Sequence, residues 1–170
     1  IPILSERLLY LPYLMGERTP HLNPNCRGVF FGLSAIHTKA DMLRAVMEGV
    51  SYSLLDCFDI LREMKVNVKE MMACGGGGKS RVWRQMLADM YGCEVKTIKA
   101  QEGPALGVAI LAGVGAGIFP DVQTACKEFI EQDTWCQPDA AAHAYYEKGH
   151  ALYQKLYQKL KDCYEDLAAL

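Results

Sequence analysis

The sequence contains no apolar run long enough to cross a bilayer. The longest apolar candidate, Ala105–Ala112, is far shorter than the ~20 residues that a membrane helix needs. Residues 1–14 are apolar but lack the basic-then-apolar layout of a signal peptide, and they lack an initiator Met. We therefore predict no membrane association, expect residues 1–14 to pack against the body, and expect the chain to be a piece of a longer protein.

An excess of either charge is also missing. The 170 residues carry 18 Lys and Arg against 20 Asp and Glu, a formal net charge of −2, and no basic run occurs. Domains that bind nucleic acid concentrate positive charge on one surface. The sequence therefore predicts no nucleic-acid partner.

Motifs for disulfides and metals are lacking too. Seven cysteines are dispersed without a C-x-x-C pair, and four histidines form neither H-E-x-x-H nor a zinc-spaced pair with cysteine. An odd, scattered set of cysteines fits reduced thiols better than a disulfide framework. We predict a cytoplasmic protein with no zinc site of its own.

The chain does contain enough apolar residues for a sizeable core. Hydrophobic residues make up 51% of it, and its length suits one domain. Hydrophobic patterning predicts a short buried strand at residues 28–33, a second strand at 70–74 and a partly alternating strand at 93–98. It also predicts helices at 38–65, 79–92, 103–119, 121–130 and 140–170. Short strands mixed with helices predict an α/β fold.

The longest helices are predicted in some detail. Thr38 is the predicted N-cap of the first helix, with Asp41 as its capping-box partner. Asp121 is the predicted N-cap of a later helix. Pro104 suits a first helical turn. Apolar residues at steps of three and four predict which faces are buried. These are Leu43, Val46, Met47, Val50, Leu54, Cys57, Phe58 and Leu61 in the first helix, and Tyr153, Leu156, Tyr157, Leu160, Tyr164 and Leu167 in the last.

Four consecutive glycines, Gly75–Gly78, follow the second predicted strand and precede Lys79 and Ser80. A Walker loop would need another glycine five positions before Gly78, where Ala73 stands. The G-x-G-x-x-G dinucleotide fingerprint fails as well, because Ser80 occupies the place of its third glycine. Neither familiar nucleotide motif is therefore present.

A strand, a glycine turn and a helix N-terminus nevertheless form a general anion-binding arrangement. Glycine permits positive φ and lets a phosphate or ribose lie directly against the backbone. Each glycine costs about 0.5–1 kcal/mol relative to alanine in a helix or strand, and a tight turn needs only one or two. Both interpretations, a nucleotide site and a tight turn, remain open on the residues alone.

Three stretches resemble the FGGY family of carbohydrate kinases, and within it the xylulose kinases. Residues 28–49, "GVFFGLSAIHTKADMLRAVMEG", fit the family's second signature along their length. Residues 11–24, "LPYLMGERTPHLNP", are similar to the family's sugar-kinase loop. "GGGGKSRVWRQMLADM" and "EGPALGVAILA" follow in the family's order.

The resemblance implies an actin-like, hexokinase-like ATPase fold of two lobes of ribonuclease H type. The chain would form most of the C-terminal, nucleotide-binding lobe, with a mixed sheet packed with helices and incomplete at its N-terminal side. Residues 138–170 would be a helix docked on that lobe. Gly107 would let its helix cross a helix of the N-terminal lobe, so that lobe is an expected partner.

The resemblance also implies a nucleotide site at the glycines. Gly77 and Gly78 would lie against the adenosine and α-phosphate of ATP, and Gly75 and Gly76 would shape the turn. Arg81 would lie near the adenine. For Lys79, contact with phosphate and simple solvation both remain open.

The implied reaction is ATP-dependent phosphorylation of a sugar hydroxyl, with D-xylulose as the expected substrate and Mg²⁺ bridging phosphates. The catalytic aspartate and the metal ligands are expected before Ile1, so no catalytic or metal-binding residue is assigned here. Glu17 and Arg18 would either face the substrate or fix the loop before Pro20.

Two other functions stay open at this point. The protein could phosphorylate another sugar or polyol, such as ribulose or glycerol, or it could be a non-catalytic module that binds nucleotide or a partner. A homodimer is a further possibility.

Overall fold

The computed structural model describes residues 3–99 and 103–170. The chain folds into two compact units. The first comprises Ile1–Val68, Asp89–Gly92 and Pro138–Leu170, and the second comprises Lys69–Ala88 and Cys93–Gln137. In chain order the elements are a 3₁₀ turn at Ser5–Arg7, β1 Leu9–Leu11, β2 Val29–Phe31, α1 Lys39–Glu63, β3 Glu70–Met72, α2 Gly75–Lys79, α3 Arg81–Tyr91, β4 Glu94–Ile98, α4 Gly103–Gly115, α5 Val122–Phe129, β5 Gln132–Cys136 and α6 Ala140–Ala168.

The first unit contains a two-stranded antiparallel sheet in which Leu9 of β1 faces Phe31 of β2. All of β1 is buried, which confirms that this apolar segment packs against the body. The prediction of a buried strand at residues 28–33 is wrong about burial, since Val29 is only half-buried and Phe31 is 47% exposed. The reason is that α1 and α6 pack against β1, whereas β2 is held, within the described residues, by its pairing with β1.

Helix α1 begins at the predicted cap. The Thr38 hydroxyl accepts a hydrogen bond from the Asp41 amide at 3.4 Å, and the Asp41 carboxylate accepts one from the Thr38 amide at 2.8 Å. The Thr38 hydroxyl also donates to that carboxylate at 2.6 Å. This reciprocal pair is a capping box, which satisfies amides that the first helical turn leaves free.

The buried face of α1 is not the predicted one. Leu43, Leu54 and Leu61 are 57%, 51% and 40% exposed, whereas Ala45 is 1% exposed. A Cβ added to Gly49 would lie 2.2 Å from the Tyr10 carbonyl oxygen. Small residues therefore face β1, because its backbone comes too close to α1 for leucine.

Helix α6 belongs to the same unit and is capped by the Asp139 carboxylate, which accepts from the Ala142 amide at 2.8 Å. The predicted stripe is confirmed for Tyr153 and its buried neighbours, but Leu167 is 54% exposed. The Tyr153 hydroxyl donates to the hydroxyl of Tyr13 at 2.9 Å. The core of this unit is thus rich in tyrosines. The hydroxyls of Tyr13 and Tyr153 bond to each other, whereas the buried Tyr164 hydroxyl has no partner among residues 3–99 and 103–170.

The second unit contains a three-stranded sheet in the order β3-β4-β5, with β3 parallel and β5 antiparallel to β4. Strands β3 and β4 confirm two predictions, and β4 alternates in burial as expected. Strand β5 was not predicted, because its exposed polar residues give no apolar signal. Ala88, Val95 and Cys136 form the core beneath this sheet.

Two helices follow β4 in this unit. Helix α4 contains Pro104 in its first turn, as predicted, and carries no charged residue. Helix α5 begins at the predicted cap, where the Asp121 carboxylate accepts from the Thr124 amide at 2.7 Å. Phe119 and Phe129 meet edge to face, with ring centroids 5.5 Å apart.

The capping box of α1 predicts a pH-dependent stability. The hydrogen bonds from the Thr38 hydroxyl and amide lower the pKa of the Asp41 carboxyl. A carboxyl whose pKa is lower in the folded state stabilises the fold above its ordinary pKa of about 4, and that contribution disappears as the pH falls through the folded pKa. We expect Asp41→Asn to lower the thermal midpoint at neutral pH, with a difference that shrinks in acid. Thermal unfolding at a series of pH values measures this, with exposed Asp162→Asn as the control. A midpoint difference that is the same at every pH contradicts the account.

Candidate functional site

The glycine run forms a helical turn rather than an open loop. Cys74 is extended after β3, Gly75 has φ of +71°, and α2 occupies Gly75–Lys79 before the chain breaks at Ser80. The prediction of a turn followed by a helix from Lys79 or Ser80 is therefore wrong in detail. The four residues of Gly75–Gly78 already belong to a first helical turn, and α3 starts anew at Arg81.

The four glycines differ in what their missing side chains permit. A Cβ on Gly78 would lie 2.8 Å from the Ala73 carbonyl oxygen, so that position must be glycine for the turn to close onto the strand. A Cβ on Gly77 would lie 3.3 Å from the ring of Trp83. At Gly75 and Gly76 nothing in the described chain lies within 4 Å of the added atom. Packing therefore explains Gly78, and the positive φ of Gly75 favours glycine there, so only Gly76 has neither cause.

A cavity of about 390 Å³ opens beside this turn. This is within the usual size range of small-molecule sites. Its walls come from the end of β3, the turn, the end of β4 and the start of α4. They are lined by Ala73, Cys74, Gly75, Gly78, Lys79, Arg84, Thr97, Ile98, Lys99, Gly103 and Asp133.

The charge of the cavity lining favours an anion. Three cationic side chains, Lys79, Arg84 and Lys99, line it against the one carboxylate of Asp133. Lys99 also forms an ion pair with Glu131, whose hydrogen bond raises the pKa of the Lys99 ammonium. The lining therefore stays cationic at neutral pH.

Arg84 links the cavity to the backbone of the turn. Its Nη1 donates to the Gly78 carbonyl oxygen at 2.6 Å. Its Nε is buried and has no hydrogen-bond partner among residues 3–99 and 103–170. Arg84 thus positions the last part of the turn.

The predicted residues are only partly brought together. Gly75 and Gly78 line the cavity with Lys79, whereas Arg81 is exposed at the start of α3 and does not line it. Sequence reasoning missed Arg84, which lies three residues after Arg81 and hence on the same side of α3. Lys99 was missed as well, although it directly follows a predicted strand.

Glu17 and Arg18 lie in the loop after β1, in the first unit. The Glu17 carboxylate accepts from the amides of Thr19 and His21, each at 2.7 Å, around a cis peptide bond before Pro20. Both carboxylate oxygens of Glu17 therefore stabilise the conformation of this loop. Arg18 is exposed.

Neither a metal centre nor a bilayer-spanning helix is found in the described part of the chain. No three His, Cys, Asp or Glu side chains there are grouped to hold a metal ion. None of its helices combines the length and apolar character needed to cross a membrane.

Comparison with known proteins gives the family. The model of the C-terminal domain of the FGGY family of carbohydrate kinases matches residues 3–116. The chain belongs to the FGGY family of carbohydrate kinases.

Its relatives within this family are sugar kinases. The xylulose kinase of Staphylococcus epidermidis is 41% identical over 166 residues, which cover 98% of this chain and 34% of that protein. The gluconokinase of Bacillus subtilis is 45% identical over 114 residues, 66% of this chain and 22% of that protein. The chain thus spans about a third of the length of the curated xylulose kinase it matches.

Solved structures confirm the expected actin-like α/β fold of this FGGY chain. The ligand-bound xylulose kinase from Lactobacillus acidophilus superimposes with a TM-score of 0.87 at 32% identity, over 98% of this chain and 34% of that one. The mixed sheet with packed helices in the second unit agrees with this fold.

Removal of the Arg84 guanidinium tests its role in holding the turn. We expect Arg84→Met to lower the free energy of unfolding by about 1–3 kcal/mol, because the Gly78 carbonyl loses a charged donor. Urea denaturation measures the change. Arg81→Met, on the exposed start of the same helix, is the control and should stay within about 0.5 kcal/mol of the parent. Equal losses in the two variants rule out a special role for Arg84.

Proposed function

We propose that the protein is an ATP-dependent sugar kinase that converts D-xylulose and ATP to D-xylulose 5-phosphate and ADP. The observation that carries this proposal is the 41% identity to a xylulose kinase along nearly the whole chain. Gluconate is the second candidate substrate, because a gluconokinase is 45% identical over a shorter stretch.

The proposed nucleotide site is the cavity beside the glycine turn. Gly77 and Gly78 would lie against the nucleotide and Gly75 and Gly76 would shape the turn, as the family resemblance implies, and Gly75 and Gly78 line the cavity. Lys79 and Lys99 would face the phosphates, and Arg84 would hold the turn. We also keep the proposal that Arg81 approaches the adenine, since an exposed arginine can stack on a base.

Phosphoryl transfer depends on positioning and charge neutralisation more than on covalent help from the protein. The cations of the cavity supply part of that neutralisation. Mg²⁺ would supply further charge neutralisation when bound, and we propose, as the family resemblance implies, that its ligands lie outside this chain. We assign no catalytic residue in this chain.

The remaining parts of the proposal concern the substrate and the rest of the protein. Glu17 and Arg18 are proposed to lie near the sugar substrate. Glu17 would act by shaping the loop, and the exposed Arg18 side chain would be the group free to contact the sugar.

The chain is proposed to form most of the C-terminal lobe, with residues 138–170 docked on it. A cytoplasmic location is proposed from the seven cysteines, all of which are free thiols.

The N-terminal lobe is the proposed partner of α4. Val108 and Leu111 of this uncharged helix are 67% and 62% exposed. Gly107 lies beside them and leaves room for a second helix, since nothing in the described chain lies within 4 Å of an added Cβ. A homodimer remains a prediction without a surface assigned to it.

A substrate panel tests the proposed reaction. The full-length protein is incubated with ATP, Mg²⁺ and D-xylulose, gluconate, ribulose or glycerol, and ADP release is measured. We expect D-xylulose to give the highest kcat/KM. A higher value for gluconate would replace the substrate, and no release with any of the four would contradict the proposed kinase.

A pair of substitutions tests the nucleotide site itself. Asparagine tolerates positive φ better than most residues, so Gly75→Asn should keep the turn and place a side chain in the cavity. We expect it to weaken ATP binding about tenfold, which corresponds to about 1.4 kcal/mol. Gly117→Asn is the control, because Gly117 also has a positive φ and no described atom within 4 Å of an added Cβ but does not line the cavity, and it should change the affinity less than twofold. Calorimetric titration with ATP measures both, and unchanged binding by Gly75→Asn contradicts the assignment.

A further inference from the structure

Helix α6 buries one side in the first unit and leaves its opposite side exposed. The exposed side carries a basic block, Lys155 and Lys159, followed by an acidic block, Asp162 and Asp166. Successive members of this set are four, three and four residues apart, so all four lie in one row along the helix. We call these four side chains the charged face of α6.

This order of charges is unfavourable within a single helix. Lys155 and Lys159 are like charges four residues apart, and Asp162 and Asp166 repeat that arrangement with the opposite sign. Like charges at this spacing repel each other and destabilise a helix. Asp166 also lies in the last turn, where the partial negative charge of the helix C-terminus favours a cation. The stability of the helix itself therefore does not explain the charged face.

The rest of the described chain does not neutralise these charges either. None of the four side chains forms an ion pair within the part of the chain that the structure describes. This includes Lys159 and Asp162, which are close enough in sequence to pair with each other. Neighbouring Glu165 differs from them, because its carboxylate accepts from the Asn25 side chain at 2.6 Å. Two positive and two negative charges thus remain available to an outside partner.

The charged face is complementary to a reversed copy of itself. The two lysines and the two aspartates have the same spacing, four residues or about 6 Å along the helix axis. In an antiparallel pair of α6 helices, Lys155 of one copy lies level with Asp166 of the other, and Lys159 lies level with Asp162. A twofold axis repeats each match, so four pairs of opposite charge form together. A parallel pair would instead place like charges level with each other.

Exposed leucines lie beyond the charges at both ends of the row. Leu152 is 47% exposed one turn before Lys155, and Leu170 is fully exposed just after the helix. In the antiparallel pair these two leucines fall at nearly the same level, so Leu152 of each copy covers Leu170 of the other. Removal of this apolar surface from water stabilises the pair in addition to the charges.

We propose that the charged face of α6 is a docking surface for a second copy of this chain, with the two α6 helices antiparallel about a twofold axis. The axis passes at the level between Leu160 and Lys161, the middle of the row. Because exposed ion pairs are screened by salt, the association weakens as the ionic strength rises. The proposal assigns a surface to the homodimer and does not depend on the kinase reaction.

Charge reversal in the full-length protein tests this pairing. Lys155→Glu with Lys159→Glu makes the face entirely acidic, and Asp162→Lys with Asp166→Lys makes it entirely basic. Each double variant repels its own copy, so we expect the dissociation constant of the dimer to rise by about tenfold or more. An equimolar mixture of the two should dimerise again, because an acidic face then meets a basic one. Sedimentation velocity at a series of protein concentrations measures the parent, each variant and the mixture.

The matched control reverses two exposed lysines away from α6, Lys39→Glu with Lys69→Glu, and changes the net charge as much as the acidic variant does. It should change the dissociation constant less than twofold. Circular dichroism confirms that each variant is folded. A parent protein that stays monomeric at every concentration, or a dimer that both reversals leave intact, overturns the proposal. Failure of the mixture to dimerise also overturns it, because the face would then contact another part of the protein or a different partner.

Discussion

The proposed site depends on how closely the glycine turn approaches the strand before it. The Ala73 carbonyl oxygen lies 2.8 Å from the position that a Cβ of Gly78 would occupy, so any side chain would push the turn away from β3. The Arg84 side chain holds the same part of the turn by donating a hydrogen bond to the Gly78 carbonyl oxygen. With the turn held in place, Gly75 is free of contacts and the three cationic side chains line one cavity.

In the first unit, another glycine allows a similarly close approach between two backbone segments, and there the approach serves packing alone. Gly49 lets α1 lie against the backbone of β1, where a Cβ would come within 2.2 Å of the Tyr10 carbonyl oxygen. Close contact between backbones excludes larger side chains from the interface and leaves Leu43 and Leu54 outside. A missing side chain therefore has a packing cause at Gly49 and Gly78 and a conformational cause at Gly75, whose φ is positive. The proposal of a ligand rests on the cavity beside the turn and on the cationic side chains that line it.

Local features could be predicted from the sequence, and features set by distant contacts could not. The caps at Thr38 and Asp121 were predictable because their partners lie three residues away. The buried face of α1 was not, because it is chosen by β1, about forty residues earlier in the chain. Strand β5 exists through its pairing with β4, and Arg84 acquires its role only when α3 folds back on the turn. The family resemblance led to the proposal of a site at the glycines, whereas the cationic side chains beside them required the structure.

The central claim is that a nucleotide binds beside Gly75 and Gly78. The most direct measurement is an amide-resolved NMR titration of the protein with ADP. The account predicts saturable shifts that are largest at Gly75, Gly78, Lys79 and Lys99, around one cavity. Saturable ADP binding that leaves these amides unchanged, with the largest shifts elsewhere, would contradict it.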